Sequence, residues 1–231
     1  MRAFYLTSVL LICSLSAFGA AQANVVDVAT LDDNTKNETK QAVSSSDGVD
    51  HKAQLKTLIK QMSSFKATFS QSVKDVDGAL LMEGQGQVLL AHPAKLRWHA
   101  VTPDENLMVS DGKTLWIHNT DLEQVTIINA KDAIDSSPFA LLTSDDNHLW
   151  QQYYVTKVAE NYVIAPMQIQ GQVKQLLVSL VEGRFSLLEI EDVSGQKSQF
   201  RFKDTQVNKP VDMTLFNFTL PDGVDVDDQR Q

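Results

Sequence analysis

The stretch HPAKLRWHAVTPDENLMVSDGKTLWIHN, residues 92–119, determines the fold class of this chain. In its first half the side chains alternate, so that Leu96 and Trp98 lie on one face while Arg97 and His99 lie on the other. A period of two is typical of a half-buried β-strand. This strand aims the Trp98 ring into an interior, which is either a packed core or an apolar pocket.

The second half of the stretch predicts a β-hairpin, because strand-like residues 108–109 and 114–118 flank the turn pair Asp111-Gly112. Gly84-Gln85-Gly86 lies between strand-like residues and predicts a bend rather than a phosphate loop. Similar strand-like runs occupy residues 65–73, 85–90, 124–128, 153–158, 162–165, 174–181, 187–192, 199–203 and 216–219.

Two helices are predicted beside these strands. In the first, apolar residues recur at i, i+3, i+4 and i+7, and Ser63-Ser64 ends it; these apolar residues are Leu55, Leu58, Ile59 and Met62. Residues 137–142 form a second, short helix, with Ser137 as its cap and Pro138 at its first position. The pattern predicts a mainly β (α+β) fold, a curved antiparallel sheet or incomplete barrel with a helix on its concave side.

The N-terminus has the features of an export signal. Arg2 precedes a short apolar run, and Ala21-Gln22-Ala23 is a cleavage motif, so we predict a signal peptide at residues 1–23. Residues 24–50 are polar and predict a flexible segment, and residues 51–231 predict a single domain. The single cysteine, Cys13, lies inside the signal without a lipidation motif, so the exported chain has no thiol.

Composition argues against several classes of function. The formal net charge of −9 becomes −10 once Arg2 is removed, and the lysines and arginines form no basic stripe. This balance disfavours nucleic acid and anionic lipid as partners. The five histidines have no metal-ligand spacing, and no G-x-S-x-G motif is present, so we predict no metal, no cofactor and no enzyme activity.

What remains is a set of large apolar residues, for each of which core packing is the simpler interpretation. The combination of an export signal, a partial barrel and an amphipathic helix favours instead a carrier of an apolar ligand. The set comprises Phe65, Phe69, Leu96, Trp98, Trp116, Phe139, Leu141 and Leu142.

From about residue 55 to its end the chain resembles the LolA family of periplasmic outer-membrane lipoprotein carriers. The motifs SDGKTLW at 110–116, WQQY at 150–153 and VDDQR at 226–230 are specific in combination. The resemblance implies an incomplete antiparallel barrel (half-barrel) whose helices cover a hydrophobic cavity. It also implies a monomeric periplasmic chaperone that is not an enzyme.

The implied function is transport between two membranes. Such carriers accept triacylated lipoproteins from an inner-membrane ABC transporter of the LolCDE type, shield their acyl chains and deliver them to the outer-membrane receptor LolB. By resemblance the cavity and lid positions are Ile59, Phe65, Leu96, Trp98, Phe139 and Leu142, and Phe69 and Leu141 complete the predicted site. The alternative is a periplasmic lipid- or peptide-binding module of the same fold with no role in sorting.

One position departs from the family pattern. The family has an arginine, which latches the lid, before the proline that matches Pro93, whereas this chain has His92. Imidazole donates fewer hydrogen bonds than guanidinium and changes its charge near neutral pH. We therefore predict that His92 is a weaker, pH-sensitive latch. Alternatively Arg97 or Lys95 supplies the contact, although the alternation places both on the outer face.

Overall fold

A computed structural model of the chain describes residues 50–130, 142, 146–169 and 171–230. The predicted signal peptide and nearly all of the predicted flexible segment lie outside the described residues. So do Phe139, Leu141 and the rest of the predicted short helix apart from Leu142.

The described strands form one open twelve-stranded sheet in the order β12-β6-β5-β4-β3-β2-β1-β11-β10-β9-β8-β7. Neighbouring strands pair antiparallel, except that β12 runs parallel to β6. The predicted mainly β fold is confirmed. In chain order the strands are β1 Ser64–Lys74, β2 Leu80–Ala91, β3 Lys95–Thr102, β4 Asn106–Ser110, β5 Thr114–Asn119, β6 Gln124–Asn129, β7 Tyr153–Val158, β8 Asn161–Pro166, β9 Val173–Val181, β10 Arg184–Asp192, β11 Lys197–Val207 and β12 Asp225–Asp228.

Short helical segments accompany the sheet. Helix α1, His51–Lys60, is the predicted amphipathic helix, and the Asp50 side chain caps its N-terminus. Helix α2, Asn147–Gln151, was not predicted. Among the described residues neither α-helix is long and apolar enough to cross a membrane. The strand predicted at residues 216–219 is wrong, because a 3₁₀ helix occupies Met213–Phe216 and the last strand lies further on, at β12.

The sheet curves around α1. The helix leads through Ser63 directly into β1, yet it also contacts β7, which lies five strands away in the sheet order. A flat sheet with strands about 4.8 Å apart could not bring both strands to one short helix. The concave side therefore faces α1, as the half-barrel prediction required.

The glycine pair lies inside strand β2 rather than at a bend. A Cβ on Gly86 would lie 2.1 Å from the backbone oxygen of His99 and 2.5 Å from the Phe69 ring. The register between β2 and β3 shifts beside Gly86, which leaves Val101 as a bulge in β3. Gly84 also lies close to β3, because a Cβ on Gly84 would lie 2.6 Å from the Thr102 backbone oxygen. The two glycines therefore permit close packing of neighbouring strands and of the Phe69 ring.

Residues 208–230, which we call the C-terminal segment, cover the convex face of β2–β6. Phe216 is fully buried against Leu89 and Ala91. Further along, Phe218 stacks on Trp116 with 6.0 Å between ring centroids. Trp116 therefore lies on the opposite face of the sheet from Trp98. Near its end the C-terminal segment forms β12, which pairs with β6 at the edge of the sheet.

Lys95 and Arg97 are also engaged on the convex face. The Lys95 ammonium donates to the Asp111 carbonyl oxygen at 2.9 Å and lies 5.9 Å from the centre of the Phe216 ring. The Arg97 guanidinium donates to the Leu215 carbonyl oxygen at 3.4 Å. The alternation thus placed both residues correctly on the outer face, and this placement does not support the alternative that one of them supplies the latch contact.

Candidate functional site

The concave face beneath α1 is apolar and buried. Leu55 and Ile59 of α1 are at most 2% exposed, and they belong to one buried cluster with Phe65 and Phe69 of β1 and Trp98 of β3. The alternation within each strand sends these side chains to one side of the sheet. The same cluster continues across the sheet through Ala67, Val88, Leu90, Ala100, Tyr162, Ile164, Leu176, Val178, Leu188 and Phe200.

Aromatic rings occupy the centre of this face. Trp98 stacks on Phe69 with 4.3 Å between centroids, and Phe200 meets both rings edge-on at 5.0 and 5.7 Å. Phe65 makes a similar edge contact with Phe185 at 5.3 Å. These spacings are those of directly contacting aromatic pairs. In this conformation the centre of the inner face is packed, and an apolar ligand could reach it only if α1 or the rings moved.

A second apolar strip extends the inner face toward β6. Met108 of β4 pairs with both Trp98 of β3 and Ile117 of β5, so all three side chains lie on the concave side. Leu115 and Ile128 are also buried in this strip. The predicted site did not include these residues, although the alternation in residues 114–118 was a usable signal.

The structure brings most of the predicted site residues together. Ile59, Phe65, Phe69, Trp98 and Leu142 are all buried members of the same cluster, and half-buried Leu96 packs against it. Phe139 and Leu141 lie outside the described residues. Six of the eight predicted site residues therefore lie in this cluster or against it. Their contact with acyl chains stays a prediction.

His92 lies in the turn between β2 and β3, beside the end of α1. Its backbone N–H donates to the Ser63 carbonyl oxygen at 3.0 Å, and its side chain is half-buried. Within the part of the chain that the structure describes, its imidazole makes no hydrogen bond. The latch role of His92 stays a prediction.

Two polar contacts of α1 were not predicted. The Lys56 ammonium donates to the Asn147 side-chain oxygen of α2 at 2.5 Å and lies 5.8 Å from the Trp150 ring centre. Just beyond the helix, the Ser63 backbone N–H and hydroxyl both donate to the Asn208 side-chain oxygen, at 2.7 and 3.0 Å. Each contact joins residues far apart in sequence, and no local pattern indicates it.

One cluster of charged side chains lies on the convex side. Glu191 accepts hydrogen bonds from Lys174 at 2.6 Å and Gln175 at 2.7 Å, and Lys197 lies within 3.9 Å. The Lys174 hydrogen bond is the main cause that holds the pKa of Glu191 below its ordinary value. Among the described residues no group of three histidine, aspartate or glutamate side chains could hold a metal ion. The inner face itself offers apolar contacts.

Comparison with known proteins identifies the family. Residues 60–219 match the family model described as outer membrane lipoprotein carrier protein LolA. The chain is 40% identical over 172 residues to an outer-membrane lipoprotein carrier protein of Photorhabdus laumondii, covering 74% of this chain and 84% of the relative. It is 39% identical over 193 residues to that of Salmonella typhimurium, covering 82% and 93%.

Solved structures of low sequence identity are also similar. A LolA superfamily protein from Nitrosomonas europaea is 12% identical, with a TM-score of 0.47 over 74% of this chain and 99% of that chain. The family model spans most of the residues that form the sheet and the inner face. This chain belongs to the LolA family of outer membrane lipoprotein carrier proteins.

Proposed function

We propose that this chain is a periplasmic carrier that shields the acyl chains of lipoproteins between the inner and outer membranes. It accepts triacylated lipoproteins from a LolCDE-type ABC transporter and delivers them to a LolB receptor, acting as a monomer. One observation carries the proposal. In this member of the family the concave face of the sheet is apolar and lies under α1, which a short junction joins to β1.

The physics of the cargo requires such a face. Each methylene group transferred out of water is worth about 0.8 kcal/mol, so several acyl chains do not leave a membrane unshielded. The inner face offers aromatic and aliphatic side chains from β1–β3 and β8–β11 as a replacement for lipid. The charged groups around Glu191 lie on the other side of the sheet and do not oppose this contact.

The packing of the inner face also favours release of the cargo. The rings of Phe69, Trp98 and Phe200 bury apolar surface against one another. Cargo must displace these contacts, so part of its binding free energy is spent on opening the protein. A carrier with this competition binds acyl chains more weakly than a preformed cavity would, and it can therefore pass them to a receptor.

The proposed contact residues are the predicted set. All eight are proposed as residues of the acyl-chain cavity and its lid: Ile59, Phe65, Phe69, Leu96, Trp98, Phe139, Leu141 and Leu142. The burial of five described members in one cluster, and the packing of half-buried Leu96 against it, support this assignment. His92 is proposed as a pH-sensitive latch, which its position beside the end of α1 supports.

Depletion of the protein in its native host tests the function. Lipoproteins destined for the outer membrane should accumulate in the inner membrane, while outer-membrane proteins without a lipid anchor keep their location. Normal lipoprotein sorting after full depletion would refute the proposal.

Mass spectrometry of the protein purified from native periplasm separates the carrier from the alternative binding module. Bound intact lipoprotein supports the carrier. Bound free lipid or peptide, without lipoprotein, supports a binding module of the same fold.

A further inference from the structure

A basic stripe lies on the convex face where β1 pairs with β11. It consists of four exposed cations, Lys66 and Lys74 of β1 and Arg201 and Lys203 of β11. The register sets Arg201 and Lys203 opposite outward-facing residues of β1, so all four side chains project from one face of the sheet. The expectation that the lysines and arginines form no basic stripe is wrong for this face, because the stripe forms only when two strands distant in sequence become neighbours.

The four cations of the basic stripe have no ion-pair partner among the described residues. By contrast, Lys197 on the same ladder lies 3.7 Å from Glu189 and 3.9 Å from Glu191. The Asp204 carboxylate lies beside the stripe, where it accepts a hydrogen bond from the Thr68 hydroxyl at 3.0 Å. In a chain with a formal net charge of −9, the stripe therefore presents a local surface of the opposite sign.

The surface between the cations is polar. Its hydroxyl and amide side chains come from β1 and the neighbouring β2, and they are Thr68, Ser70, Ser72, Gln85 and Gln87. None of the large apolar side chains of β1 or β11 is exposed. Glu83 of β2 and Glu189 of β10 border the end of the stripe at Lys74. The excess of cations over carboxylates is therefore largest at the other residues of the stripe.

We propose that the basic stripe docks an extended acidic segment of a partner protein, with alternate aspartate or glutamate side chains facing the cations. Side chains two residues apart on one face of a strand are about 7 Å apart, and alternate residues of an extended peptide have the same spacing. Lys66 and Lys74 lie about 26 Å apart along β1, the length of about eight extended residues. The hydroxyl and amide side chains between the cations supply donors and acceptors for the peptide backbone.

An acidic peptide segment fits this surface better than an anionic membrane does. Proteins that bind a membrane surface bury apolar side chains there in addition to making charge contacts, and β1 and β11 expose no large apolar side chain. At physiological ionic strength, charges more than about 8 Å apart are largely screened. A narrow peptide therefore interacts mainly with the stripe, whereas a broad bilayer surface also meets the rest of a negatively charged molecule. The stripe and the apolar face lie on opposite sides of the sheet, so docking does not depend on cargo.

Fluorescence anisotropy of labelled peptides tests the docking on the full chain. The probe is a peptide of alternating glutamate and serine, about ten residues long, and a peptide of alternating glutamine and serine is the uncharged control. We expect only the acidic peptide to bind, and its affinity should fall when the salt concentration rises from about 50 to 300 mM. Arg201→Gln should lower the affinity roughly 1.5- to 5-fold, and adding Lys203→Gln should bring the loss to roughly 2- to 30-fold, the range of one and two exposed ion pairs.

Lys113→Gln is the matched control, because it removes an exposed lysine from the turn between β4 and β5. No binding of the acidic peptide at low salt, equal binding of the uncharged peptide, or an equal loss of affinity in Lys113→Gln and Arg201→Gln would each overturn the docking surface. Binding of phosphatidylglycerol vesicles without binding of the acidic peptide would assign the stripe to a membrane and overturn the protein partner. Fatty-acid binding beneath α1 and the urea midpoint should be unchanged in each variant, which separates this inference from the proposed carrier function.

Discussion

Replacing Trp98 with alanine should destabilise the protein and create an apolar binding space under α1. The Trp98 ring is 6% exposed, stacks on Phe69 at 4.3 Å and meets Phe200 at 5.0 Å. Truncation of a buried tryptophan costs roughly 3–5 kcal/mol, a large share of the typical 5–15 kcal/mol of a folded domain. The remaining void is lined by aromatic rings, so it should stay dry and accept apolar molecules.

Urea unfolding followed by circular dichroism measures this loss, and Trp116→Ala is the matched control. Trp116 is half-buried on the convex face and stacks on Phe218, so its removal leaves no space beneath α1. A medium-chain fatty acid is added to both variants at the same concentration, about 100 times its Kd for Trp98→Ala. The free energy of unfolding should rise by about 2.7 kcal/mol in Trp98→Ala and change little in Trp116→Ala. A loss below about 1 kcal/mol in Trp98→Ala, or equal restoration in both variants, would refute the assignment of Trp98 to the ligand-binding interior.

Three further predictions concern other parts of the molecule. Gly86→Ala places a Cβ 2.1 Å from the His99 carbonyl oxygen and should cost at least about 1–3 kcal/mol in urea unfolding; Gln87→Ala, exposed on the same strand, is the control and should change stability little. The pKa of Glu191 is lowered in the folded state, mainly by a lysine hydrogen bond, so its contribution to stability is present at neutral pH and is lost as the pH falls through and below 4.5. Glu191→Gln should therefore flatten the acid side of the urea-midpoint profile, and an unchanged slope would contradict this account. His92→Arg should remove the pH dependence of cargo transfer to the receptor between about pH 5.5 and 8, and an unchanged profile would exclude the latch.

Alternation of side chains was sufficient to predict most of the sheet. β1, β3 and β7 follow strand-like runs of the sequence closely, because one face of each strand is buried and the other is exposed. The alternation also placed Trp98 inside and Arg97 outside. Elements without this contrast were missed: α2 has only five residues, and β12 is Asp-Val-Asp-Asp, held by parallel pairing to β6.

The apolar half of the candidate site could also be predicted, whereas its polar contacts could not. Phe65 and Phe69 follow from the period of β1, since burial repeats along the strand. The Lys56–Asn147 contact spans 91 residues and the Ser63–Asn208 contact spans 145. Such pairs depend on how the sheet curves, and a single polar residue produces no periodic signal that would indicate its partner.

The position of β1 in the sheet has a consequence for the order in which the chain can fold. Strands β2 to β6 follow one another as local hairpins, but β1 lies between β2 and β11, and Phe69 pairs with Phe202 near the other end of the chain. Sheets that depend on such distant pairing fold slowly, because the intervening chain must be ordered first. Until β11 has been synthesised, one edge of β1 stays open in the middle of the future sheet, beside the residues that become the apolar interior. A nascent or truncated chain lacking Lys197–Val207 therefore exposes the strand edge and the apolar surface that most need protection from aggregation.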